Sequence, residues 1–158
     1  STHFNGGFVA WPKLGGRKPN ALMDGPATQA LLVPNEMFVL TKRFTSKEER
    51  RRIVAVVYDP SRMPNDVKQV GFENHLNYFH QDGAGLPKVI ARGLAAYLNT
   101  TLVDQFFRQF NGHTQVNAVD LRSLRYPTLE QLAAIGRTIG PAFPDQEQTE
   151  AIVGAAIN

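Results

Sequence analysis

The sequence contains no cysteine and no long hydrophobic run. Without cysteine the chain can form neither a disulfide framework nor a thiolate metal site. No apolar run approaches the roughly 20 residues that a membrane-spanning helix needs, and no secretory apolar stretch stands at the start of the sequence. From these absences we expect a cytoplasmic protein that has no membrane partner.

The composition that remains is that of a globular domain. Of the 158 residues, 42% are hydrophobic and 20% are charged, which argues against disorder. We therefore expect one domain over residues 1–158. The net charge of +3 at neutral pH mildly favours an anionic partner.

Local patterns place the strands before the helices. Residues 1–30 are rich in glycine, proline and asparagine, which predicts a long irregular arm with one short strand. Extended segments are predicted next, at residues 31–33, 37–44, 53–58, 70–72 and 75–79. Apolar residues at helical spacing, with capping residues before them, then predict helices at residues 86–98, 102–110, 128–139 and 145–157.

These elements predict an α+β fold. A short twisted sheet from the N-terminal half should pack against the C-terminal helices. The helix at residues 102–110 carries Phe106, Phe107 and Phe110, which we expect to belong to the hydrophobic core. Residues 119–124 are ambiguous between helix and loop.

The basic run at residues 42–52 is the most unusual segment of the sequence. It sets six cationic side chains against only Glu48 and Glu49; the six are Lys42, Arg43, Lys47, Arg50, Arg51 and Arg52. One interpretation is a solvated turn whose charges pair locally and protect a sheet edge. The other is a hairpin apex that binds phosphates, because two glutamates cannot neutralise this much positive charge.

Two further segments carry side chains that suit a nucleic acid. The glycine-rich arm contributes the cations Lys13, Arg17 and Lys18. The segment after the phenylalanine-rich helix contributes Asn111, His113, Thr114, Gln115 and Asn117. Such polar side chains can contact base edges or can close buried turns, and the sequence leaves both interpretations open.

An enzymatic alternative depends on the segment Asp82-Gly83-Ala84-Gly85. It stands between an apolar run and a helix, which is the outline of a nucleotide or S-adenosylmethionine loop. Against this, only two glycines are present, and a helix follows where a second strand is required. The histidines, His3, His75, His80 and His113, show no metal-ligand spacing, so we expect no metal site.

A third alternative is a protein-interaction module. In this interpretation the C-terminal helices dock a catalytic subunit through one apolar face. The residues of that face would be Ile135, Ile139, Ile152, Val153 and Ile157.

Long blocks of the sequence resemble a known family. Residues 97–132, YLNTTLVDQFFRQFNGHTQVNAVDLRSLRYPTLEQL, resemble the C-terminal region of bacterial restriction-modification adenine-N6 DNA methyltransferases. In these enzymes a target-recognition domain follows the catalytic domain. Residues 11–22 and 38–58 resemble the same family, and the layout of GHTQVNA, LRYP and EQL is similar to specificity subunits of type I restriction systems. The resemblance covers about residues 8–139.

The resemblance implies a recognition domain without its catalytic partner. The family's S-adenosylmethionine loop is absent, and VVYDPS at residues 56–61 lacks the second proline and the aromatic residue of the catalytic motif. The chain would therefore be a fragment that needs no cofactor itself, from a parent enzyme that uses S-adenosylmethionine. Its partners would be double-stranded DNA and the missing N-terminal catalytic domain. The basic run would bind phosphates, with further contacts from the arm and from residues 111–117.

Overall fold

The computed structural model describes residues 4–5, 7–12, 15, 21 and 23–158. Its strands are β1 (Phe4–Asn5), β2 (Phe8–Val9), β3 (Leu32–Pro34), β4 (Phe38–Lys42), β5 (Ala55–Tyr58), β6 (Gln69–Gly71) and β7 (Leu76–Phe79). Its helices are α1 (Lys88–Leu98), α2 (Thr101–Phe110), α3 (Ala118–Arg122), α4 (Leu129–Thr138) and α5 (Gln146–Ile157). The predicted α+β fold is therefore confirmed, and the ambiguous stretch after residue 118 contains a short helix.

Five strands form one mixed sheet in the order β1-β2-β5-β4-β7. Strand β4 pairs antiparallel with β5 and β7 on its two sides, and β2 runs parallel to β5. Strands β3 and β6 form a separate antiparallel pair. Strand β5 is buried along its whole length, as its run of apolar and β-branched residues predicts.

The two faces of the five-stranded sheet pack against different layers. Val39 and Val57 join the helices in the main hydrophobic cluster. Leu40 points to the opposite face and joins a second cluster, which the β3–β6 pair covers. Lys42 continues the alternation on the Leu40 side at the end of β4. The apolar face on the Leu40 side of β4 therefore ends at the charged side chain of Lys42.

Two glycines allow α1 and α4 to pack closely. Gly93 of α1 lies against the carbonyl group of Leu132, and Gly136 of α4 lies against the carbonyl group of Val89. A β-carbon at either glycine would collide with the backbone of the facing helix. The two glycines thus allow the helices to approach more closely than any residue with a β-carbon would permit.

Two expectations about buried apolar residues need correction. Phe107 is buried, but Phe106 and Phe110 are 42% and 45% exposed, so the phenylalanine-rich helix gives only one ring to the core. On the C-terminal helices, the expected docking residues Ile135, Ile139 and Val153 are buried in the chain's own core. Helical spacing identifies an apolar face, but it does not show whether that face packs inside the molecule. No helix of the described residues is long and apolar enough to cross a membrane.

Candidate nucleic-acid interface

The basic loop, residues 42–52, begins at the end of β4 and leads toward β5, and it is clamped against α2. Arg108 of α2 donates to the carbonyl oxygens of Lys47 and Glu49, both at 2.8 Å. Asp104, one turn earlier, accepts from the backbone N–H of Arg52 at 2.6 Å and from Arg108 at 2.8 Å. The predicted hairpin apex is therefore a loop whose backbone is fixed by two side chains of a helix.

Arg52 is an internal residue. Its side chain is 1% exposed, and its guanidinium carbon lies 5.5 Å from the centre of the Phe107 ring. The guanidinium donates to Thr45 Oγ1, to the carbonyl oxygen and Oδ1 of Asn111, and to the carbonyl oxygen of His113. Burial lowers its pKa, and the neighbouring Arg108 lowers it further. Arg52 therefore organises the loop, and its buried guanidinium is not accessible to a phosphate, which corrects the expectation for this residue.

Arg51 and Lys42 are partly buried and have acidic partners. Arg51 Nη2 lies 3.8 Å from Glu150 Oε1 and 3.3 Å from Thr101 Oγ1, and burial lowers the pKa of this arginine. Lys42 Nζ lies 3.6 Å from Glu49 Oε2. Both pairs leave part of each cation open to solvent, so a phosphate could compete for either.

Lys47 and Arg50 carry the free charge of the loop. Both side chains are exposed, and neither forms an ion pair or a hydrogen bond with any residue that the structure describes. Arg43 is partly exposed and donates to the carbonyl oxygen of Asn74 at 3.3 Å. The surplus charge predicted for this segment is thus concentrated on two of its six cations.

The basic loop borders two open depressions that meet at Lys42 and Glu49. One has a volume of about 420 Å³ and is lined by Lys42, Glu49, Arg50, Arg51, Val54 and Gln146. The other has a volume of about 590 Å³ and is lined by Lys42, Phe44, Glu49, Glu73, His75 and Leu76. Together they make a concave surface that is lined by the cations Lys42, Arg50 and Arg51 and by the carboxylates Glu49 and Glu73.

The fold brings residues 111–117 against this loop. Thr45 N donates to the Thr114 carbonyl oxygen at 3.0 Å, and Val116 N donates to the Arg43 carbonyl oxygen at 2.7 Å. Two segments that the sequence separates by some sixty positions therefore form one surface, as a shared interface requires.

Members of the 111–117 segment have different roles. Asn111 is 5% exposed, accepts from Arg52 and His113 N, and donates to Asp120, so it is structural. Asn117 precedes α3, and its backbone N–H donates to Asp120 at 3.0 Å. The side chains of His113 and Thr114 are exposed, while Gln115 is partly exposed. Lys13, Arg17 and Lys18, the cations predicted in the arm, lie outside the described residues.

The alternative cofactor loop at residues 82–85 is a tight hairpin turn. Asp82 and Gly83 both have positive φ, at 51° and 86°, and Gln81 and Ala84 exchange two backbone hydrogen bonds of 2.9 Å. Gly85 N donates to the Glu36 carboxylate at 2.5 Å. An anionic ligand would need this backbone N–H to be free. These residues do not fit a nucleotide or S-adenosylmethionine. Within the described residues, no cluster of three or more histidine and acidic side chains could hold a metal ion.

Sequence reasoning missed the residues that hold the surface together. Asp104 and Arg108 stand four positions apart on α2, which predicts an ion pair on one helix face. Nothing in the sequence indicates that this pair also binds the backbone of a loop more than fifty residues away. The sequence pattern predicts a strand through Phe44, and the 45% exposure of this residue within the basic loop is visible only in the structure.

Fold and surface together define an α+β fold with a cationic loop beside two open depressions, and two known proteins similar to the chain are Type II methyltransferases. The chain is 52% identical over 142 residues to Type II methyltransferase M.PstI of Providencia stuartii, covering 90% of this chain and 27% of that protein. It is 47% identical over 137 residues to Type II methyltransferase M.BsuBI of Bacillus subtilis, covering 87% of this chain and 27% of that protein.

The chain thus spans 27% of the length of these relatives and is similar to a part of each of them. No family model matches the chain, and no solved structure does.

Proposed function

We propose that this chain is the target-recognition part of a restriction-modification adenine-N6 DNA methyltransferase, and that it binds double-stranded DNA without catalysing methyl transfer. The proposal is supported by a basic loop that borders two open depressions and is hydrogen-bonded to residues 111–117, in a chain similar to part of two Type II methyltransferases. S-adenosylmethionine and the reacting adenine would belong to a catalytic domain elsewhere in the parent protein. This chain's own residues bind and orient the DNA.

Charge and shape support duplex DNA as the ligand. Lys47 and Arg50 present unpaired positive charge, while Lys42 lines both depressions and Arg51 lines one of them. Cations that lie along an open concave face suit a phosphate backbone. His113 and Thr114 stand exposed beside the loop and are suited to further backbone contacts.

The test is a charge reversal at the two free cations, Lys47→Glu with Arg50→Glu. The variant should bind a short synthetic duplex more weakly at every sequence. Its plot of log affinity against log salt should lose about 0.9 of slope for each phosphate contact removed. Arg137→Glu is the matched control for one reversed charge, because Arg137 is exposed on α4 and lines neither depression. Fluorescence anisotropy over a range of salt concentrations measures both quantities.

Two results would contradict the proposal. One is an affinity and a salt slope that the double reversal leaves unchanged. The other is a loss of log affinity in Arg137→Glu about half as large as in the double reversal, which would show that only the net charge of the molecule matters.

A second function, docking of the catalytic part, is favoured by one apolar stripe. Leu102, Phe106 and Phe110 stand four residues apart on α2, are 42–57% exposed, and include a ring contact of 5.4 Å between the two phenylalanines. We propose that this stripe contacts the catalytic domain. Without its catalytic partner the exposed stripe should make the isolated chain self-associate as its concentration rises, which sedimentation experiments measure. Phe106→Glu with Phe110→Glu should abolish this self-association and leave the DNA affinity unchanged. Self-association that persists in this variant would exclude the stripe.

A further inference from the structure

Residues 43–45 and 114–116 form a short antiparallel ribbon beside the larger depression, which Phe44 lines. The hydrogen bonds from Thr45 N to the Thr114 carbonyl and from Val116 N to the Arg43 carbonyl flank the pair Phe44–Gln115. This arrangement makes Phe44 and Gln115 a non-hydrogen-bonded pair. Such pairs bring the α-carbons to about 4.5 Å and place both side chains on the same face.

That shared face points outward. Thr45 and Val116, the next residues on the two sides of the ribbon, are 2% and 0% exposed and point into the protein. Phe44 is 45% exposed, and Gln115 is partly exposed. The side-chain amide of Gln115 forms no hydrogen bond within the described part of the chain. The ribbon therefore presents a large apolar ring and an unused amide side by side.

The neighbours of this pair hold it in place and add positive charge. The His75 ring meets the Phe44 ring at 5.2 Å and 88°, an edge contact that restricts the phenylalanine. The guanidinium carbon of Arg43 lies 5.9 Å from the centre of the same ring. Phe44 also lines the depression that contains Lys42 together with Glu49 and Glu73.

We propose that Phe44 and Gln115 together read one A·T base pair in the major groove, an inference that rests on the DNA binding proposed above. A glutamine amide matches the major-groove edge of adenine, because its NH₂ group donates to N7 while its carbonyl oxygen accepts from the N6 amino group. An apolar ring suits the C5-methyl group of thymine. A G·C pair offers neither the amino donor beside N7 nor the methyl group. The major groove is wide enough for a two-stranded ribbon.

The experiment begins with selection from a pool of duplexes with a randomised central segment, using the whole chain and, in parallel, Phe44→Ala and Gln115→Ala. The wild type should select sites that contain a fixed A·T pair, and both variants should relax the preference at that same pair. On the selected duplex, Gln115→Ala should lose about 5- to 150-fold in affinity, the range for one bidentate base contact.

Replacing thymine by uracil removes only the methyl group. At the pair that is read, this replacement should weaken wild-type binding by about 4-fold, since one buried methyl group is lost. It should leave Phe44→Ala binding unchanged. Gln109→Ala and Leu129→Ala, which alter exposed side chains on α2 and α4, are the controls and should select as the wild type does. Thermal unfolding of each variant confirms that it is folded.

The outcomes separate this inference from the proposed function. Three results would overturn the reading of an A·T pair while DNA binding stands. The wild type could bind with no sequence preference, the two variants could relax different base pairs, or the variants could lose affinity equally on all duplexes. A wild-type chain that binds no duplex would overturn the proposed function, and this inference with it.

Discussion

Three consecutive arginines have three different environments, although their side chains are chemically identical. Arg50 is exposed, Arg51 is partly buried beside Glu150, and Arg52 is buried among carbonyl oxygens and the Phe107 ring. The cause is the path of the backbone, since Asp104 fixes the N–H of Arg52 and turns its side chain inward. Identity of residue type therefore does not imply identity of role.

Arg52→Ala and Arg50→Ala should separate stability from binding. Loss of the Arg52 guanidinium leaves several buried acceptors without a donor, so the free energy of unfolding should fall by about 3 kcal/mol. Arg50→Ala should change that free energy by less than about 0.5 kcal/mol. It should nevertheless weaken DNA binding. Urea unfolding and anisotropy titration measure the two effects, and equal destabilisation by both variants would show that the burial of Arg52 has no energetic importance.

At the scale of elements, α2 acts as the support of the basic loop. Its Arg108 side chain satisfies two loop carbonyls, and its Asp104 side chain satisfies one loop N–H. Without these bonds the loop would lose a defined shape, and a charged loop that must be ordered on binding binds less tightly.

Arg108→Ala should therefore loosen the loop without unfolding the domain. We expect faster hydrogen exchange across residues 46–52 and a loss of about 1.5–3 kcal/mol in the local free energy of opening, as for hydrogen bonds to a charged group. Gln109→Ala changes the next, exposed residue and should leave exchange unaltered. Exchange rates that match in the two variants would show that the clamp does not order the loop.

The contact between α1 and α4 gives a second prediction at this scale. Alanine normally stabilises a helix relative to glycine by up to about 1 kcal/mol. At Gly93 the sign should reverse, because the new β-carbon meets the Leu132 carbonyl and forces the helices apart, at a cost of about 1–3 kcal/mol. Gly154→Ala in α5 meets open space and should be neutral or stabilising. Denaturant unfolding compares them, and a stabilised Gly93→Ala would disprove close packing.

At the scale of the whole molecule, the sheet separates a helical core from a second apolar cluster. Tyr58 lies in that second cluster, and its hydroxyl donates to Asn35 Oδ1 at 2.5 Å. Burial raises its pKa from 10.0 to about 12, because the ionised phenolate would be poorly solvated there.

The raised pKa of Tyr58 predicts a loss of stability in alkali. The unfolded chain ionises this tyrosine near pH 10 and the folded chain only near 12, so stability is intact below pH 10 and is lost as pH rises between these values. Burial raises the pKa of Tyr97 and Tyr126 as well. Tyr58→Phe should therefore show a shallower fall in unfolding free energy over this pH range. An identical fall in wild type and variant would mean that Tyr58 is not buried in solution.

The sequence by itself determined the order of the elements and the nature of the surface charge. Period-two and helical patterns, together with capping residues such as Thr128 and Asp145, are local properties, and the helices begin close to where these patterns predict. The excess of cations over carboxylates in the basic loop is likewise read directly from its residue types.

Only the tertiary structure decided which residues face solvent and which segments meet. Arg52 and Ile135 turned inward, Phe44 and Phe106 turned outward, and the loop at residues 111–117 came to lie beside a strand end far away in sequence. The physical reason is that burial depends on the partner that covers a face. Residues distant in the chain supply that partner, so no local pattern of polarity contains it.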